Sequence, residues 1–323
     1  MLTDLRTTPT NARPGLLHSA DGTVAPVRST SFDVRAFTRT AFGDHRPPDP
    51  PPLGPTDLHP SVRFALTYLR DVERTATSTL RRVLATSTSR EARYTAFLTT
   101  WAHDRYWFAE RLDRALGSPP PTADDDAAAP STRFDRLAHV QDLLAQHVEP
   151  VWTTLVGEPT TALHAVRGLS EESAVLAAHY RVAGLARGAL DELLAPLRAR
   201  RLEHVSFYRA EAAMRLGGDD LAVRLTRALL TRGFHPLRPG ALRARASHRF
   251  LRTLFAGGGR DEVVRDADAP VRALPGLGGH GPLATALRRE RPLVPPVPPV
   301  ASGHRAHAPR TPTDRAPVGA GIS

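Results

Sequence analysis

The 323-residue chain contains no cysteine and no lysine, and it has a single isoleucine (Ile322) and a single asparagine (Asn11). Without cysteine there is no disulfide, no thiolate-bound zinc and no thiol nucleophile, so any metal would have to be held by histidine and carboxylates. No run approaches the ~18 to 20 uninterrupted apolar residues of a membrane-spanning helix. The opening stretch "MLTDLRTTPTNARPGLLHSADG" lacks the apolar core of a secretory signal. These absences lead to the expectation of a cytoplasmic protein with no membrane span. A Gly-rich phosphate loop, a Gly-x-Ser-x-Gly elbow and a His-Glu-x-x-His pair are also missing, which leaves hydrolase and nucleotide-binding readings without an anchor.

What is present is 41% hydrophobic residues, ample for a packed core, together with much Arg, Ala, Pro and Gly. With lysine absent, all 43 basic residues are arginines, and they exceed the 33 acidic ones by ten. The skew follows codons rich in G and C, as in a high-GC bacterial genome. The positive balance is therefore weak support for a nucleic-acid partner.

Residues 1–60 are rich in Thr, Pro and Arg and close on "HRPPDPPPLGP"; their composition predicts a disordered segment. Residues 281–323, with "RPLVPPVPPV", predict a flexible Pro-rich tail. Between them, 61–280 is the expected folded domain. Four segments there carry apolar residues at helical spacing. The first runs from Ser61, a candidate cap, to Thr86, with Leu66, Leu69, Ala76, Leu80 and Val83 as its stripe. The second runs from Arg90 to Leu116, with Tyr94, Phe97, Leu98, Trp101, Leu112 and Leu116. The linker "GSPPPTADDDAAAPST" and a shorter helix over Arg133 to His147 follow. The third starts near Ser170 and carries Leu169, Leu176, His179, Ala183 and Ala186; the fourth, Gly188 to Leu216, carries Leu190, Leu194, Leu197 and Tyr208. Further helices are expected over Asp219 to Thr231 and Arg245 to Phe255, and "FAGGGRDE" reads as a loop or helix end. No segment shows convincing strand alternation.

Each inward stripe has an ionisable residue near its middle: Glu73, Arg105, Glu172, and Arg201 with His204. A charge in a core is costly unless paired. Four coincident phase errors are harder to accept than one site.

In this pattern the chain resembles the ferritin-like di-iron carboxylate proteins, and among them the acyl-carrier-protein desaturase-like members found in actinobacteria. The resemblance covers about 60–280. In that group helices one and three each give a Glu, and helices two and four each give a D/E-E-x-R-H motif whose second and fifth residues bind metal. Glu73 in "LRDVERTA" and Glu172 in "LSEESAVLAAHY" match the single-Glu positions. "DRYWF" (Asp104 to Phe108) and "RRLEH" (Arg200 to His204) occupy the motifs. Their metal positions hold Arg105 and Phe108, and Arg201 and His204.

The resemblance implies an all-α, ferritin-like four-helix bundle with extra C-terminal helices. The departures imply a degenerate metal site. Two guanidiniums where two carboxylates would neutralise iron turn attraction into repulsion, and arginine suits planar pairing with carboxylate. Ion pairs of Arg105 and Arg201 with Glu73 and Glu172 are therefore expected, with no cofactor, in a binding or scaffold protein, a pseudoenzyme that pairs with itself or with a homologue. The alternative is an iron-dependent, desaturase- or oxidase-like oxidoreductase with a reduced metal site on Glu73, Glu172 and His204.

His103, Asp104 and Glu203 neighbour the motif positions but are expected to face elsewhere. His179 reads as a hydrogen-bonded core histidine, and Trp101, Tyr106, Trp107 and Phe108 as core packing. Residues 197–260 carry fourteen arginines against four acidic residues. They form either a solvated face or a docking surface for an acidic partner, which the resemblance would make a carrier protein.

Overall fold

A computed structural model describes residues 16–18, 24–26, 30–49, 51–54, 58–117, 157–185, 188–232, 234–238, 242, 244–255 and 259–289. The linker and the expected helix at 133–147 lie outside them, as does most of the Pro-rich tail. Among the described residues the architecture is helical. Its one exception is an antiparallel ladder of β1 (Leu16–His18) with β2 (Val24–Pro26).

Two short helices, α1 (Val34–Arg39) and α2 (Phe42–His45), precede α3 (Pro60–Arg74) and α4 (Ala76–Leu84). The long α5 (Ala92–Leu116) follows, then α6 (Glu158–Leu185) and α7 (Ala189–Leu216). The chain continues through α8 (Asp220–Thr231), α9 (Ala244–Leu254), α10 (Arg260–Arg272) and α11 (Pro282–Arg289). No described helix is long and apolar enough to cross a membrane.

The sequence signals account for many of these boundaries. Pro60 opens α3, where a missing N–H costs nothing, and the His59 ring rather than Ser61 accepts the first free amide. The expected single first helix breaks at Thr75, whose hydroxyl turns back to the Val72 carbonyl at 2.7 Å. Gly117, at φ 67°, takes the left-handed conformation that ends α5. The third long helix begins at Glu158, not near Ser170. Its first three turns are buried on several sides, which erases the one-sided pattern that would announce them.

α3 packs on α5 and α6 on α7, and the two pairs join through α3 with α6 and α5 with α7. The apolar interior has two clusters. Leu66 and Leu69, Phe108 and Leu112, Ala174 and Val175, and Leu194 and Leu197 belong to one. Ala76, Phe97 and Trp101, Val166 and Leu169, and Phe207 and Tyr208 belong to the other. The clusters follow one order along α3 and its continuation α4 and along α7, and the reverse order along α5 and α6. Hence α5 and α6 run parallel, which demands a crossover; 118–156 is the chain available for it. The Tyr208 ring fits against the α6 backbone only because residue 168 is glycine: a Cβ there would lie 2.4 Å from the ring.

The folded part extends beyond 61–280 at both ends. Residues 30–49 form a strap rather than a disordered segment, with Phe37 and Phe42 buried against the long helices. Arginines fix its backbone: Arg93 donates to the Phe32 carbonyl (2.7 Å), Arg200 to that of Phe37 (3.0 Å), and Arg111 to those of Pro47 (3.2 Å) and Pro48 (3.1 Å). At the other end α11 starts where the buried Asp268 accepts from the amides of Leu283 (2.9 Å) and Ala284 (3.0 Å).

Removing the Phe37 ring should test the strap. Phe37→Ala is expected to lower unfolding stability by about 3–5 kcal/mol in urea titrations, and a loss below about 1 kcal/mol would show that the strap adds little.

Candidate functional site

Between the two apolar clusters, at the middle of the four long helices, lies a layer of charge. Glu73 (α3), Arg105 (α5), Glu172 (α6), and Arg201 and His204 (α7) are each at most 2% exposed. All five therefore face inward, as helical spacing predicts.

The charges alternate around a closed ring. Glu73 accepts from Arg105 Nε through Oε2 at 2.7 Å and from Arg201 Nη2 through Oε1. Glu172 accepts from Arg201 Nη1 through Oε2, and its Oε1 lies 3.7 Å from Arg105 Nη1. Each guanidinium thus bridges both carboxylates, the geometry its planar fork favours. The ion pairs expected from sequence are present.

Other groups complete the layer. Arg105 Nη2 donates to the Val72 carbonyl at 2.6 Å, and the Trp101 indole N–H donates to Glu172 Oε1 at 2.9 Å. His204 places Nδ1 3.3 Å from Glu172 Oε2 and Nε2 3.2 Å from Asp104 Oδ2. Only an imidazolium can donate to both. Burial lowers the His204 pKa, but the hydrogen bonds to Asp104 and Glu172 outweigh it and raise the group above its ordinary value. Burial likewise opposes ionisation of Glu172, yet Arg201 and then His204 hold that carboxyl well below the usual range.

Asp104 corrects the sequence reading. It is fully buried and belongs to the network. Its Oδ1 accepts from the Phe42 amide at 2.6 Å and its Oδ2 from Arg200 Nε at 2.7 Å, so it joins the strap to the ring. Burial opposes its charge, and His204 followed by Arg200 lowers its pKa all the same. Arg200 also reaches Glu203 (2.7 Å), whose side chain is half exposed as expected. Three buried carboxylates face three guanidiniums and one imidazolium, and Glu203 supplies the fourth negative charge at the surface. The signal missed was the arginine beside Arg201: two adjacent arginines on one helix serve different carboxylates, Arg201 those of Glu73 and Glu172 and Arg200 that of Asp104.

His103 lies at the surface and accepts from Trp107 at 3.0 Å, away from the ring. Phe108 sits inside, its ring 6.0 Å from that of His204 and its centroid 5.5 Å from the Arg201 guanidinium carbon. The residues at the six positions the resemblance assigns to ligands thus converge. Tyr106 is an exception to the expected packing, being 54% exposed. His179 is a core residue but not a hydrogen-bonded one: neither ring nitrogen has a partner among the described residues. Burial, and then Arg201 and Arg198, keep it neutral by pushing its pKa well down.

The donor set fits a divalent cation poorly. Every oxygen of Glu73 and Glu172 already faces a guanidinium, an indole or an imidazole donor, and a His204 that donates from both nitrogens has no lone pair for a metal. Among the described residues no three His, Asp or Glu side chains form a metal-holding group.

Two results should follow. Arg201→Met leaves two buried carboxylates short of a partner and is expected to cost about 3–5 kcal/mol. The loss should shrink in an Arg201→Met, Glu172→Gln double variant; strictly additive losses in a double-mutant cycle would mean the pair is uncoupled.

Stability should also peak near pH 6–7. His204, raised in the fold, stabilises fully below its unfolded value of about 6.5 and loses that contribution as pH climbs through its folded value. On the acid side the carboxyls of Asp104 and Glu172 stabilise above about pH 4 and lose this as pH falls. His179 and His164, the latter lowered to about 3 by burial and by Arg167, also destabilise the fold as pH drops below about 6.5. His204→Gln should flatten the alkaline limb in urea unfolding at a series of pH values; an unchanged limb would contradict a buried imidazolium.

No protein-family model, curated protein or solved structure matches the chain.

Proposed function

We propose that the chain is a degenerate ferritin-like protein, metal-free and non-catalytic, that works as a binding or scaffold partner. The observation that carries this reading is the closed ring of Glu73, Arg105, Glu172 and Arg201, in which guanidiniums occupy the space between carboxylates that bound cations would otherwise need. The topology supports it too: every packed pair among the four long helices is antiparallel, while α5 and the next long helix, α6, run parallel without packing on each other, the up-down-down-up order of ferritin-like bundles.

On this reading the ancestral metal positions were exchanged for fixed positive charge, and the bundle kept its shape while losing redox chemistry. What remains is surface. Tyr106, Tyr180, Leu185, Leu202 and Leu221 are large apolar side chains at least 42% exposed. They are the candidates for contact with a second copy or a homologue.

Metal content after expression in iron-supplemented medium, with zinc and manganese read in parallel, tests the core of the proposal. Less than about a tenth of an equivalent is expected for the native chain. The variant Arg105→Glu, Phe108→His, Arg201→Glu should gain iron while staying helical. About one equivalent in the native chain, lost on His204→Ala, would instead establish the oxidoreductase with a reduced iron site, and a folded triple variant without metal would refute the assigned ligand positions.

A further inference from the structure

A surface groove away from the charged ring holds an arginine that the fold leaves unpaired and a carboxylate with one oxygen to spare. It lies between residues 31–33, α7 and α10 and encloses about 650 Å³, within the ~300–1,000 Å³ usual for small-molecule sites. Arg209 lines it from α7 and Asp33 from the segment before α1. Phe32, Pro270 and Leu274 give an apolar wall, and Ser206 adds a hydroxyl.

Arg209 is exposed and has no ion pair or hydrogen bond among the described residues, whereas the strap and the ring are built from arginines that are paired. Asp33 Oδ1 accepts from the Ala36 amide at 3.0 Å as the cap of α1, and its other oxygen has no partner among the described residues. The two groups face one groove and do not pair with each other.

Their chemistry selects a ligand class. A guanidinium takes a carboxylate in a two-point contact, and a carboxylate takes an ammonium. A simple anion would meet Asp33, a simple cation would meet Arg209, and a purely apolar ligand would leave both charges desolvated without partners. We infer that the groove binds a small zwitterion with an apolar body, of the amino-acid or short-peptide class with free termini, its carboxylate on Arg209 and its ammonium on Asp33. The apolar wall accommodates the side chains between them.

Because the groove is separate from the ring, its failure would leave the metal-free reading untouched, and the reverse also holds. The test is calorimetric titration of the full chain with L-leucyl-L-leucine, its N-acetyl derivative and its C-terminal amide. Arg209→Gln and Asp33→Asn would be titrated in parallel, the latter keeping a side chain that can still cap α1. The free dipeptide is expected to bind saturably. Each blocked ligand and each variant should weaken binding about tenfold or more, the effect of losing one charged hydrogen-bond partner. Absence of saturable binding up to about 10 mM, or binding indifferent to blocking and to both substitutions, would overturn the assignment. A loss confined to one of the two charges would overturn it as well, by reducing the groove to a simple anion or cation site.

Discussion

The structure depends on mutual neutralisation inside a low-dielectric interior. Glu73 and Glu172 cannot be buried alone, and neither can Arg105 and Arg201; moving any one of them out of water costs several kcal/mol. Placed in alternation, each charge has two opposite neighbours within 3.7 Å, and Trp101, His204 and the Val72 carbonyl take up further lone pairs and protons. Arginine suits this role because it does not deprotonate in the range proteins meet. In a chain with no lysine, every fixed positive charge is of that kind.

Asp104 and Arg200 carry the arrangement outward. Asp104 accepts from His204 on one side and from the Phe42 amide on the other, and Arg200 lies 3.8 Å from the Phe37 ring centroid while donating to the Phe37 carbonyl. The strap is thereby held by the same electrostatics as the interior. The composition of residues 1–60, rich in Pro, Thr and Arg, gives no hint of this, because the bonds that hold the strap come from arginines on α5 and α7 far along the chain.

That contrast explains what was legible in the sequence. The periodic apolar stripes of α5 and α7, and the inward position of Glu73, Arg105, Glu172, Arg201 and His204, follow from local spacing and could be read directly. So could the pairing, which follows from charge alone. Asp104 stands one turn before Phe108, about 40° from it around the helix, so spacing alone places it on the buried face of α5, and the expectation that it faces elsewhere overlooks that relation. The extension of α6 back to Glu158 is hidden because its first turns are buried on several sides. α11 depends on a cap from Asp268, fifteen and sixteen residues before the amides it accepts, and no local pattern can announce such a partner.

The position of the charged layer, between one apolar cluster and the other, has a consequence for specificity. Apolar side chains tolerate sliding: a helix shifted by one turn can often find new neighbours of similar size. A carboxylate displaced about 5 Å along the axis from its guanidinium finds only hydrocarbon. The layer therefore acts as a registry pin for all four helices at once, penalising every alternative packing in which they mesh out of step.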